Sequence, residues 1–187
     1  LLSFERKIKQ RFEKHVNVVV FSSKGERPKA DMMSGGDLRY HLARNRKFTE
    51  AQTKFFIACM LLGLEYLHQK SILHRDIKPA NVLLGEGEVP VLMDFGSTAP
   101  ARKKITSRTE ALLLQEDAAQ NCSMPYRAPE LFDVPSDAVI DERTDVFSLG
   151  ATLYAMGFYY SPFECTFQDS VQRVVECSYL RVIGGAQ

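Results

Sequence analysis

Apolar positions recur at helical spacing along much of this chain, and the longest such stripe is the clearest. Phe56, Met60, Leu64 and Leu67 lie three or four residues apart, which puts them on one face of a helix. Thr49-Glu50-Ala51-Gln52 just before them is a capping-box pattern, so a helix is predicted from there through His68, with its stripe in the core. Cys59 falls in the same apolar run and is expected in that core. A second helix is expected over Leu38–Arg46. A third falls over Ala111–Gln120, and an apolar fourth runs from Asp145 to about Phe158. Val171, Val174 and Val175 fit one face of a further short helix. Residues 1–14 have a helical look, and Val16–Phe21 reads as a β-branched strand. Ser22–Lys29 reads as a polar loop with Gly25 and Pro28.

One pair of short apolar runs breaks the helical rule. Asn81-Val82-Leu83-Leu84 and Val89-Pro90-Val91-Leu92-Met93 flank Gly85-Glu86-Gly87-Glu88. Two short runs about a glycine-rich turn predict a hairpin. That hairpin brings the residues before it close to those after it. Before it stands His74-Arg75-Asp76-Ile77-Lys78-Pro79-Ala80-Asn81, and after it Asp94-Phe95-Gly96. Asp76, Asn81 and Asp94 therefore converge. Asn81 and Asp94 offer the hard oxygen ligands that magnesium prefers, and Asp76 can accept a proton from a hydroxyl. Phosphoryl transfer asks for these groups, because it depends on positioning and charge neutralisation.

These two runs resemble the catalytic and metal-binding loops of protein kinases. Ala128-Pro129-Glu130 follows in the order that closes a kinase activation segment. The resemblance covers about Leu1 to about Val175. Pro90–Asp94, Gln115–Gln120, Tyr126–Phe132, Val139–Val146 and Leu153–Met156 are most similar to the Numb-associated kinase family. Gly35–Leu42 looks more like the hinge region of another kinase branch.

The resemblance implies an α+β, protein kinase-like fold, mainly the helical C-lobe with a partial N-lobe remnant. Residues 1–30 are then that remnant, 31–36 the hinge, and 37–187 a truncated C-lobe. It implies ATP and Mg2+ as cofactors, and a protein substrate with a serine or threonine acceptor. Asp76 is the expected base. Lys78, typical of serine/threonine kinases, and Arg75 stand beside it. Ser123 occupies the place of a hydroxyl that contacts the aspartate and lysine; otherwise it is an ordinary loop serine. Asn81 and Asp94 are the expected metal ligands, and Asp31 and Met33 the expected hinge contacts to adenine. Asp37 falls where a carboxylate often lies near the ribose, but it equally suits the N-cap of the following helix. Asp145 is expected to brace the backbone of the catalytic loop, the alternative being a surface helix N-terminus. Arg75 is expected to meet a phosphate on the activation segment, with Thr106, Ser107 and Thr109 as candidate acceptors.

Other features of the family's pattern are not found in the 187 residues. There is no Gly-rich loop and no strand lysine. Glu5 lies about one residue out of register with the C-helix glutamate, and a solvated glutamate is the simpler reading. The arginine that normally pairs with Glu130 is also missing, which would leave a carboxylate without its partner. The expected activity is therefore that of a serine/threonine protein kinase whose sequence is truncated at both ends. The alternative is a weak or inactive kinase fragment that acts as a binding or scaffold module.

Composition narrows the partners. Net charge is +1 with 25% charged residues, which gives no bias towards nucleic acid. The four cysteines, Cys59, Cys122, Cys165 and Cys177, lack paired metal spacing and suit a reducing, cytoplasmic compartment. No apolar stretch reaches the roughly 20 residues of a transmembrane helix. Peripheral membrane or Golgi association enters only through the resemblance.

Overall fold

The computed structural model describes residues 35–168, 173–177 and 182. The expected N-lobe remnant, Glu5, and the hinge contacts Asp31 and Met33 lie outside these residues.

Four α-helices carry the described chain: α1 (Leu38–Ala43), α2 (Glu50–Gln69), α3 (Arg108–Asn121) and α4 (Arg143–Phe158). The capping box that opens α2 is formed in full. Thr49 Oγ1 accepts from the Gln52 amide at 3.2 Å, and the Thr49 amide donates to Gln52 Oε1 at 3.0 Å. The predicted stripe is buried with Cys59 beside it, none of these residues more than 5% exposed. Burying each of its large side chains stabilises the fold by about 1.5–3 kcal/mol. Helix α1 stops at Ala43, short of the expected Arg46. The chain tightens there, with the Arg44 amide on the His41 carbonyl, and Asn45 turns to a positive φ of 53°, a left-handed stop.

Strands occur only as two-stranded antiparallel pairs among the described residues, and three of the four pairs position the site. Strand β1 (Ile72–Leu73) enters the catalytic loop and β4 (Ala99–Pro100) leaves the metal loop; they pair as Ile72↔Pro100 and Leu73↔Ala99. The predicted hairpin is β2 (Val82–Leu84) with β3 (Pro90–Leu92), in the register Val82↔Leu92 and Leu84↔Pro90. Gly87 takes φ 66° in its turn. Strands β5 (Lys103–Lys104) and β6 (Val139–Ile140) pin the activation segment to the chain just before α4. Gly35 packs against the hairpin so closely that a Cβ there would stand 2.5 Å from the Leu84 carbonyl oxygen.

The last pair, β7 (Glu164–Gln168) and β8 (Arg173–Cys177), corrects the expectation of a helix bearing Val171, Val174 and Val175 at the latter two positions, Val171 lying outside the described residues. Val174 and Val175 pair with Phe167 and Thr166. β-Branched and aromatic neighbours favour a pleated ribbon over a helix turn. Three valines also fit a helical spacing too loosely to decide the period.

Two cores result. One joins α1, α2, the β2–β3 hairpin and the inner face of α4 around Phe56, Met60, Leu64, Leu84 and Leu149. The other packs α3 beneath the activation segment through Ile105, Ala111, Leu114, Ala118, Leu131 and Ile140. The catalytic loop runs between them.

Candidate active site

The end of β1 and the loop after it carry five consecutive buried residues, Leu73 to Ile77, three of them polar. Such residues need partners, because burying an unpaired polar group is costly. Asp145, fully buried at the start of α4, supplies them. Its Oδ1 accepts from the Arg75 amide at 2.8 Å and its Oδ2 from the His74 amide at 2.9 Å. His68 Nε2, near the end of α2, lies 2.8 Å from Oδ2. The expected brace is thus built, and the surface reading of Asp145 is excluded. It holds Arg75 at a positive φ of 66°, a conformation that costs a bulky residue energy and persists only where surroundings over-determine it.

His74 ties the catalytic loop to the metal loop. Its Nε2 lies 3.0 Å from the Met93 carbonyl, and its Nδ1 accepts from the Asp76 amide at 3.4 Å. Burial lowers its pKa below the ordinary 6.5, although Asp145, Asp76 and Asp94 oppose this. The neutral ring, protonated on Nε2, suits both bonds.

Asp76 is 6% exposed. Its Oδ1 accepts from the Ser123 amide at 2.9 Å. Its Oδ2 accepts from Lys78 Nζ at 2.6 Å and from Asn81 Nδ2 at 2.9 Å. Lys78 Nζ also donates to Ser123 Oγ at 2.7 Å. Ser123 therefore meets the lysine through its hydroxyl and the aspartate through its amide, whereas the sequence suggested the hydroxyl for both.

Asn81 spends both Nδ2 protons on Asp76, on its carbonyl at 2.8 Å and its carboxylate. Its amide oxygen is left as the acceptor for a cation. The Met93 amide donates to the Asn81 carbonyl at 3.0 Å, which brings the start of Asp94-Phe95-Gly96 beside the catalytic loop. Asp94 is exposed and takes φ 64°. Its Oδ1 accepts from the Gly96 amide at 3.3 Å. An amide oxygen and an exposed carboxylate fit the donor set that magnesium takes.

Two groups have partners that the sequence did not name. Arg75 already has an anionic partner on the activation segment. It pairs with Asp117 of α3, and its Nε donates to the Ser97 carbonyl at 2.6 Å. Two of the three candidate phosphate acceptors have local partners: Thr106 Oγ1 donates to Glu110 at 2.9 Å, and Ser107 Oγ caps α3 by accepting from the Glu110 amide. Glu130 does not lack a partner either. It is half-buried, and Thr144 Oγ1 donates to its Oε1 at 3.0 Å. Asp37 fills the N-cap role, its Oδ1 accepting from the Tyr40 amide at 2.6 Å.

Sequence reasoning missed His68, Ser97, Asp117 and Asn121. No spacing marks them: Asp117 sits beside Glu116 in an acidic stretch of helix, and the fold alone decides which carboxylate faces Arg75.

Residues 3–183 match the protein kinase domain family. The chain belongs to the protein kinase family. It is 50% identical over 130 residues to human serine/threonine-protein kinase 16, which covers 68% of this chain and 43% of that protein. A probable serine/threonine-protein kinase of Dictyostelium discoideum is 58% identical over 76 residues, 41% of this chain and 21% of that protein. Human beta-adrenergic receptor kinase 1 is 35% identical over 133 residues, 71% of this chain and 17% of that protein. The chain thus spans less than half the length of these curated relatives. No helix among the described residues is long and apolar enough to cross a membrane.

Proposed function

We propose that this chain carries the catalytic half of a serine/threonine protein kinase. It would transfer the γ-phosphate of ATP to a hydroxyl of a protein substrate. The observation that carries this reading is the set of bonds around Asp76, which Lys78, Asn81 and Ser123 hold from two different elements. In the transfer, the substrate oxygen bonds to the γ-phosphorus and the bond to the β–γ bridging oxygen breaks, leaving ADP. Asp76 accepts the hydroxyl proton. Lys78, bonded to Asp76 and reaching Ser123, places a positive charge beside the transferred group. Asn81 and Asp94 would hold magnesium, which neutralises charge on the phosphates when bound. Residues 31–36 fit a hinge ahead of the large lobe, and Asp31 and Met33 would meet adenine there. Asp37, spent as an N-cap, offers its remaining oxygen to the ribose.

Positioning supplies most of the rate in such transfers. Without a Gly-rich loop and strand lysine among its 187 residues, this chain by itself should hold the β- and γ-phosphates poorly and turn over slowly. A protein substrate is in keeping with the relatives' names as protein kinases, and a peripheral membrane or Golgi association enters this proposal through the family resemblance alone. The test is a radiolabelled transfer assay on a serine/threonine peptide, run with this chain and with the chain extended by the small lobe of the human relative. Turnover in the extended protein that disappears in Asp76→Ala supports the reading. Equal turnover with and without Asp76 refutes it.

A further inference from the structure

Arg75 is 6% exposed, and a guanidinium stays charged at any physiological pH. A buried cation that keeps its charge must have an anion within reach. Here that anion comes from α3, and it closes a circuit. Arg75 Nη1 donates to Asp117 Oδ2. Asp117 Oδ1 accepts from Asn121 Nδ2 at 2.9 Å. The Asn121 carbonyl accepts from Ser97 Oγ at 2.6 Å, and the Ser97 carbonyl accepts from Arg75 Nε at 2.6 Å. Four residues thus join three segments: the catalytic loop, the stretch just after Asp94-Phe95-Gly96, and α3. The Arg75 amide carries the circuit on to Asp145.

We propose that Asp117 is a positioning residue which, through Arg75, locks the catalytic and metal loops together, so that an encoded carboxylate does the work of a phosphate added to the activation segment. The geometry favours Asp117 over the hydroxyls. Asp117 and Asn121 stand one turn apart on α3, as the i,i+4 rule requires for neighbours. Thr109 is eight residues before Asp117, roughly 12 Å along the helix at its usual rise. Thr106 and Ser107 lie beyond it, bound to Glu110. A phosphate at that end of α3 does not reach a guanidinium seated at Asp117. The charge-assisted pair is stronger than a neutral bond, and the backbone it steadies includes the strained Arg75.

The inference rests on the kinase reading for its catalytic consequence, but its structural part is tested separately. Asp117→Asn keeps an acceptor for Asn121 and deletes the charge. In hydrogen exchange on the full chain, peptides over 74–78 and 95–98 should open roughly tenfold faster in this variant, the scale of one charge-assisted hydrogen bond. Peptides of α2 should be unchanged, and Asp117→Glu should restore most of the protection. Unchanged exchange in the two loops, or equal acceleration in α2, overturns the proposal. In the extended protein, Asp117→Asn should lower kcat by about 10–10²-fold with little change in KM for ATP, and phosphatase treatment of the wild type should leave kcat unchanged. Loss of activity on phosphatase treatment overturns the proposal. If the wild type turns over no faster than Asp76→Ala, the kinase reading fails, and the exchange result still decides the role of Asp117.

Discussion

The loops before and after the β2–β3 hairpin each carry a carboxylate of the candidate site, and the protein holds the two in opposite ways. Asp76 is buried and takes hydrogen bonds from Lys78, Asn81 and Ser123. The backbone before it is fastened to Asp145 of α4. Asp94 is exposed, left-handed, and bonded to an amide two residues away. The contrast follows from what each group would do. A proton acceptor has to meet its hydroxyl in one geometry, so its rotamer is worth fixing beforehand. A metal ligand gains its order from the cation, so a local turn suffices to present it.

The sharpest break in this comparison is Asp76→Ala in the protein extended by a small lobe. Turnover should fall by about 10²–10⁴-fold, as read by radiolabelled transfer, while far-UV circular dichroism stays the same. Next comes the anchor beneath the fixed loop. Asp145→Ala strands two backbone amides and His68 around a buried gap, and should destabilise the chain by about 3–5 kcal/mol in urea unfolding. A loss under about 1 kcal/mol would show that the loop holds itself.

Asp94→Asn tests the other half of the contrast. Asparagine tolerates the left-handed conformation as well as aspartate does, and the site is exposed, so the urea midpoint should not move. Magnesium-dependent ATP binding, followed by calorimetry of the extended protein, should weaken clearly. A shift in stability without a change in binding would reverse the assigned roles.

The smallest effect is on pH dependence. Burial lowers the His74 pKa, so the unfolded chain takes up a proton that the folded chain resists. Its contribution to stability is complete above the ordinary value of 6.5 and declines as pH falls through that value. The thermal midpoint should therefore drop between pH 7.5 and 5.5, and His74→Gln should flatten that slope. Asp141, held below its ordinary 3.8 by Arg143, titrates well under this window and does not obscure it. An unchanged slope in the variant would mean that another group controls the acid limb.

The hairpin and α2 were legible in the chain for local reasons. Thr49 and Gln52 satisfy one another within a single turn, and Gly87 permits a turn that few other residues take. That Asp76, Lys78 and Asn81 lie together, with the start of Asp94-Phe95-Gly96 beside them, was legible because one loop and one hairpin carry them, and there sequence distance fixes spatial distance. The β7–β8 ribbon was misread because valines at short spacing satisfy either period, and pairing with Thr166 and Phe167 decides between them.

What the sequence determined by itself was therefore the local chemistry: the helix starts, the turn, and the set of residues that one short loop and its hairpin carry. What only the tertiary structure decided was which distant groups meet. His68 finds Asp145 across 77 residues, and Arg75 finds Asp117 across 42. Glu130 finds Thr144, although its expected arginine is missing from the sequence. The physical reason is that a group taken out of water needs a hydrogen-bonding partner, and it takes whichever one packing brings within reach. Sequence names the group that needs a partner, and packing alone selects the residue that supplies one.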